Sequence, residues 1–257
     1  MTGPRALTPN RRPASPVGEV LKTWRGHRRM SQLELSTRAG VTTRHVSFVE
    51  TGRSRPSREL LDTLADALDI PLRARNDLFL AAGFAPPYTS MSADDDEFGD
   101  VMTALGRILD SHEPLPGVIM DRHWNLLQAN TAALRLFSEM VDLSTIDQPA
   151  NVLRLMFGPV RAHVANWAAV SNTLLARARR EAVGGVPDPG LQALLDELSP
   201  LVGEHRGPPA PTSPVIDVEF LIGGTVHRYF STITTLGTAA DVSLQELRIE
   251  LFHPRTH

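Results

Sequence analysis

QLELSTRAGVTTRHVSFVET, residues 32–51, is the stretch that decides how this chain is read. Counted from Gln32, a small residue stands fifth (Ser36) and a glycine ninth (Gly40). Apolar residues stand fourth, eighth, tenth, fifteenth and eighteenth: Leu35, Ala39, Val41, Val46 and Val49. Each position has a physical reason. Two short helices that cross steeply need a small side chain where their backbones approach. The turn between them needs a residue that tolerates positive φ, which glycine does without steric cost. The remaining apolar side chains fill the wedge between the helices. Ser31 with Glu34 has the spacing of a capping box, which opens the first helix of the pair, and Thr42 can cap the second.

Outward from this core, residues 16–84 read as five short helices. Ser15-Pro16 supplies a cap and a first-turn proline, and Val17, Val20, Leu21 and Trp24 follow as one apolar stripe. Past Gly52, Pro56-Ser57 opens a fourth helix with Leu60, Leu61, Leu64 and Leu68 facing inward. Pro71 opens a fifth that ends at Gly83. The run SQLELSTRAGVTTRHVSFVETGRSRPS resembles the helix-turn-helix of the Cro and phage-repressor (xenobiotic-response-element) family, over about residues 17–84. The resemblance implies that the third helix lies in the major groove of double-stranded DNA. On that helix Thr43, Arg44, Ser47 and Phe48 fall opposite Val46 and Val49. Arg44 suits a guanine edge, and Thr42, Thr43 and Ser47 suit bases or phosphates. Phe48 suits a thymine methyl or, equally, packing against the fourth helix or a second copy. Gln32 sits where the family often contacts phosphate or base, and Arg53, Ser54 and Arg55 suit phosphates. A homodimer on a palindromic operator is expected, because one such helix reads only a few base pairs.

Charge is divided in the same way. Residues 1–85 hold 14 Lys and Arg against 8 Asp and Glu, while residues 86–257 hold 12 against 21. The front suits a polyanion and the rear does not. The first residues, MTGPRALTPNRRPASP, carry arginine without an apolar core and read as a flexible tail over 1–15, not a signal peptide. No apolar stretch reaches the ~18–20 residues of a membrane span. A cytoplasmic protein with no membrane partner is expected. There is no cysteine, which excludes disulfides and thiolate metal sites.

The composition breaks at Pro86-Pro87-Tyr88, and 86–97, with its acidic run Asp94 to Glu97, reads as a solvated linker and helix start. Calcium loops alternate their ligands about a central glycine, and this run does not. Residues 98–257 read as a second domain. It has an amphipathic helix at 98–110, two short strands about a turn near Asp121-Arg122, and a helix over Thr131–Phe137. A further helix is capped by Asn151, a long one runs over roughly 160–182, and another covers 190–202. The end returns to strands: VIDVEFLI, a Gly223-Gly224 hairpin, TVHRYFSTITTL and LQELRIELFHP. Gly184-Gly185 reads as a turn and 204–214 as a proline-rich loop. The fold class is therefore α+β overall: an all-α helix-turn-helix domain (16–85) followed by an α+β, PAS-like domain with an antiparallel sheet. The segment from Leu115 to Phe137, with Trp124 and Asn130, together with NVLRLMF and FSTITTLGTAADVSLQELRIELFHP, resembles the ligand-binding domain of the MmyB-like regulators, which is PAS-related. The resemblance covers about 100–255 and implies a buried, mainly apolar pocket, with fatty-acyl-like molecules as suggested ligands.

Candidate pocket residues are Met120, Trp124, Phe137, Leu153, Met156, Phe157, Trp167 and Phe230, each of which also suits ordinary core packing. Arg154, His163 and Asn166 are polar candidates for a ligand head group. No helical histidine pair, GxSxG elbow or phosphate-binding glycine motif is present, so neither an enzyme nor a metal or cofactor is expected. The expected function is a ligand-sensing, sequence-specific transcription regulator. The alternative is an autoregulatory DNA-binding protein whose rear domain holds a protein partner.

Overall fold

The computed structural model describes residues 15–183, 188–202, 217–237 and 239–255. The tail before Ser15, the Gly184-Gly185 turn and the proline-rich loop at 204–214 lie outside the described residues. The chain divides between Tyr88 and Thr89 into two compact units.

The first unit holds α1 (Pro16–His27), α2 (Gln32–Arg38), α3 (Thr43–Glu50), α4 (Arg58–Ala67) and α5 (Leu72–Ala81). Local chemistry starts these helices where the sequence places their caps. Ser15, Thr42 and Ser57 each accept a backbone N–H of the first turn, and Ser31 with Glu34 forms both bonds of the capping box. The Ser31 N–H holds the Glu34 carboxyl below the usual carboxylate range. Gly40 takes φ +66° at the α2–α3 turn. Two helices end on left-handed residues that are not glycine, Arg29 (φ +54°) and Asp69 (φ +48°). Arg28 ties these two ends together by donating to the carbonyls of Leu68 (2.8 Å) and Asp69 (2.6 Å). Leu21, Trp24, Leu35, Val46, Val49, Leu61 and Phe79 share one buried core. The backbones of α1 and α3 approach closely: a Cβ on Gly18 would stand 2.5 Å from the Glu50 carbonyl oxygen.

The second unit is built on one antiparallel sheet of β1 (Gly117–Met120), β2 (Leu126–Ala129), β3 (Asp217–Ile222), β4 (Thr225–Thr234) and β5 (Arg248–Pro254), in the order β2-β1-β5-β4-β3. Helix α6 (Asp96–Ser111) packs on one face through Leu105 and Leu109 against Ile119 and Ile249. On the other face lie α7 (Thr131–Ser138), α8 (Val152–Phe157), α9 (Trp167–Val183) and α10 (Pro189–Leu198), packed against Val118 and Met120. Adjacent residues of β1 thus serve opposite layers, as the period of two requires, and all four β1 residues are buried. The expected α+β class is what the structure has. The hairpin between β3 and β4 turns on Gly223 (φ +55°) and Gly224 (φ +81°).

Several boundaries move for definable reasons. The long helix begins at Trp167, not near 160. Residues Pro159–His163 form a 3₁₀ turn, and the chain after it is pinned to β3: Ala165 N–H donates to the Glu219 carbonyl, and the Asn166 side chain bonds the backbone at Asp217 and Glu219. Asn166 is therefore a strut between elements. The segment LQEL, read as strand, begins inside a short helix α11 (Val242–Gln245) capped by Asp241, and the strand starts only at Arg248. Tyr88 exchanges two bonds with the Asn76 side chain, while Thr89 and Met91 bond Val242, Asp241 and Ser243. The acidic run starts α6, where negative charge suits a helix N-terminus, with Asp96 and Glu97 in the first turn.

Candidate functional site

On the first unit, the reading surface is assembled by a buried carboxylate. Glu50, 5% exposed, receives Arg25 Nε (2.7 Å) and Nη2 (3.0 Å) and the amide of Gln32 (2.7 Å). Arg25 also donates to the Met30 carbonyl at 2.8 Å. One acid thus fixes α1, the start of α2 and the end of α3, and it sets the side chain of Gln32. Its hydrogen bond and charge raise the pKa of Arg25.

The candidate DNA-contacting residues are not equivalent. Arg44 is exposed, and its guanidinium lies 4.9 Å from the Phe48 ring centre, with Arg53 at 5.9 Å from the same ring. Phe48 is half-buried and flanked by two cations on this surface. Ser47 stands half-buried on the same helix, and Ser54 follows it. Thr42 spends its hydroxyl as the α3 cap (3.2 Å to His45 N), and the Thr43 hydroxyl is paired with Ser36 at 2.9 Å. Those two side chains position helices, a duty that the spacing alone did not separate from base contact. Arg55 is exposed, with its guanidinium beside Gly83. His45 is exposed on α3 next to Arg44.

On the second unit, a cavity of about 130 Å³ lies between the sheet and the helices. Four of the sequence candidates line it: Met120, Trp124, Phe137 and Met156. They are joined by Val118 and Leu126 from the first hairpin, Leu155 of α8, Val170 and Leu174 of α9, Phe220 of β3, and Leu143, Ile146 and Ala150 between α7 and α8. Gln148 and Glu250 are the polar residues in the wall.

The other candidates lie elsewhere. Leu153 and Phe157 are buried in the adjoining core, and Trp167 packs edge-on to Phe157 with ring centres 4.9 Å apart. A helix with several buried faces presents only some residues to a cavity, and apolar identity does not say which. Arg154 sits outside, bonded to Glu197 at 2.7 Å with 58% of its side chain exposed. His163 ends the 3₁₀ turn and is not part of the wall. Phe230 stacks on His253 with Arg255 over its ring; on β4 the neighbouring Tyr229 packs into the helix-side core, so Phe230 points to the opposite face of the sheet.

Trp124 and Asn130, six residues apart, have distinct duties. Asn130 is buried and ties three elements. Its oxygen accepts Gly117 N–H and Ala133 N–H, and its amide donates to the carbonyls of Leu109 and Leu115. Trp124 is fully buried in the β1–β2 turn with φ +66°. For a bulky side chain that conformation costs on the order of 1–3 kcal/mol. Among the described residues its Nε1 has no hydrogen-bond partner, a deficit of about 1–3 kcal/mol in a buried donor. Arg177 of α9 stacks on the indole at 4.4 Å and reaches Glu181 Oε1 (3.1 Å) and Glu250 Oε2 (3.0 Å). Ser231 donates to Glu250 Oε1 at 2.6 Å. Burial pushes the Arg248 guanidinium down from its ordinary value, although Glu181 opposes the shift. This polar group was not legible in the sequence: Arg177 stands in the run ARARR, which reads as a solvated helix face.

The fold and these two sites define a helix-turn-helix protein with a separate ligand-binding domain. Residues 21–74 match the helix-turn-helix family, and residues 101–257 match the MmyB-like transcription regulator ligand binding domain. The chain belongs to this MmyB-like family, and it is a DNA-binding transcription regulator; both matched families belong to regulators, not enzymes. Among solved structures, the chain is similar to the clp gene regulator ClgR from C. glutamicum, with 26% identity over 27% of this chain and 86% of that one and a TM-score of 0.24. It is also similar to an RNA-binding light-oxygen-voltage receptor, with 11% identity over 93% of this chain and 60% of that one and a TM-score of 0.29. No curated protein matches the sequence. Among the described residues, no helix is long and apolar enough to cross a membrane.

Proposed function

We propose that this regulator binds a palindromic operator as a homodimer and that a small, mainly apolar molecule in the cavity changes its affinity for that operator. Arg44, backed by Phe48, reads base edges. Gln32, Ser47, Arg53, Ser54 and Arg55 hold the backbone. The observation that carries the sensing half is the cavity itself, walled almost entirely by apolar side chains and bounded by α7, α8, α9 and the sheet. Native interiors hold few voids larger than a water molecule, and an apolar void of ~150 Å³ is enough to hold benzene. A cavity of about 130 Å³ therefore suits a ring-sized molecule or a short acyl chain. A long acyl chain requires the segment carrying Leu143, Ile146 and Ala150 to move. The same observation favours a small molecule over a protein partner for this domain.

Regulation requires unequal binding to the DNA-competent and incompetent states, since a ligand that binds both equally shifts nothing. The test is Met156→Trp, which fills the cavity from α8. The variant should fold, lose ligand uptake and hold one operator affinity whether or not ligand is added. A folded Met156→Trp protein that still takes up ligand and still responds to it removes this cavity from the mechanism.

A further inference from the structure

We infer that Arg44 and Phe48 read one base step as a unit: Arg44 a guanine, and Phe48 the C5 methyl of a thymine, or of a methylated cytosine, in the adjacent pair. The inference rests on the reading of α3 as the operator-reading helix and goes beyond it in naming the step. Arg44 and Phe48 stand four residues apart and share a helix face, opposite the buried Val46 and Val49. The guanidinium of Arg44 lies 4.9 Å from the Phe48 ring centre, and that of Arg53 5.9 Å. Both arginines are exposed, and among the described residues neither has an ion-pair partner, whereas Arg25, Arg38 and Arg75 of the same unit each pair with a carboxylate. Phe48 is only half-buried, and among the described residues neither the core of this unit nor the partly buried apolar side chains packed on it include Phe48. The ring thus carries two cations at the surface instead of filling the interior.

Spacing selects the step. Successive bases of one strand lie about 3.4 Å apart along the duplex axis. The 4.9 Å between guanidinium and ring centre falls between one such step and two, so with Arg44 seated on one pair the near edge of the ring reaches the next. Chemistry selects the bases. A planar, two-pronged donor fits O6 and N7 of guanine in the major groove. An aromatic ring has no hydrogen bond to offer the amino groups of adenine or cytosine, and covering them without a partner costs affinity. Thymine presents a methyl group there, and a cytosine methylated at C5 presents the same one. Stacking on the ring restrains the guanidinium before DNA arrives, so less freedom is lost on binding. Arg53, the second cation at the ring, adds positive charge for the phosphates alongside.

The test uses the full chain and a duplex that it selects from a random pool, with affinity read by fluorescence anisotropy. The selected half-site should hold a guanine next to a thymine. Uracil in place of that thymine in one half-site removes a single methyl and should weaken binding about fourfold. A cytosine at the same place, opposite guanine, should bind more weakly than its C5-methylated form. Phe48→Ala should bind the thymine and uracil duplexes alike, while Arg44→Ala should lose the preference for the neighbouring guanine. Because the methyl comparisons are made with the unaltered protein, the test holds even where a variant does not fold. A selected half-site without that step, equal affinity for the thymine and uracil duplexes, or a methyl preference that survives in folded Phe48→Ala overturns the inference and leaves operator binding intact. Failure to select any duplex overturns both.

Discussion

Removing the Glu50 carboxylate should cost the first unit more than any other single polar deletion. In Glu50→Ala three hydrogen bonds disappear, two from Arg25 and one from Gln32. The Arg25 side chain is only 16% exposed, and it is left with the Met30 carbonyl as its remaining partner in this network. Breaking a buried ion pair by removing one partner costs ~3–5 kcal/mol. Water reaches part of Arg25, so about 3 kcal/mol, the lower end of that range, is the expected loss. A domain is stable by only ~5–15 kcal/mol, so the unit should stay folded but open far more often. Hydrogen exchange measured peptide by peptide in the full chain reads this directly. Amides of α1, α2 and α3 should exchange on the order of a hundredfold faster, while those of β5 and α9 should not change. Replacing both partners, Arg25→Met with Glu50→Leu, should restore most of the protection, because no bare charge remains. Operator affinity should stay low in that double variant, because Gln32 has lost its anchor. Unchanged protection in Glu50→Ala, or a double variant as unprotected as the single one, refutes the assignment of Glu50 as the buried tie.

Other outcomes follow from the same geometry. Gly18→Ala puts a Cβ 2.5 Å from the Glu50 carbonyl, so α1 and α3 must separate; urea unfolding of the first unit should show a loss on the order of 1–3 kcal/mol, and an unchanged midpoint contradicts the close approach. Arg44→Ala should relax base preference at one operator position by ~1–3 kcal/mol, whereas Arg55→Ala should weaken all sequences alike and flatten the salt dependence; competition with a mutated-operator series separates the two. The Glu34 carboxyl, held below the usual carboxylate range by Ser31, makes its capping contribution fully above the ordinary carboxylate pKa and loses it only as pH falls through its own lower value. An NMR titration should place its midpoint below that of a glutamate peptide, and Ser31→Ala, which removes the hydroxyl but keeps the backbone N–H, should raise it only in part.

The helical unit was largely legible in the sequence because its signals are local. Caps, the Gly40 turn and the 3.6-residue stripe each act within a few residues. Where α4 ends on Asp69, no glycine announced it, because tertiary bonds from Arg28 hold the carbonyls of Leu68 and Asp69. In the second unit the sheet was legible, and the cavity wall was legible only in part. Met120 and Trp124 follow from strand and turn, but Leu153 and Met156 stand on one helix and only Met156 lines the cavity. Both faces of β5 are covered, so the alternation that would have turned Glu250 inward is hidden between apolar neighbours. Arg177 and Glu250 meet across 73 residues, a distance over which sequence pattern carries no information.

The central claim is that cavity occupancy and operator affinity are coupled. The most direct measurement is a titration of the full chain against a duplex selected from a random pool, repeated at rising concentrations of the small molecule extracted from the purified protein. The account predicts that the apparent Kd for DNA moves about 5- to 150-fold and then saturates, the usual range of such coupling, and that Met156→Trp shows no movement. A Kd that stays constant while the ligand is shown to occupy the cavity contradicts it.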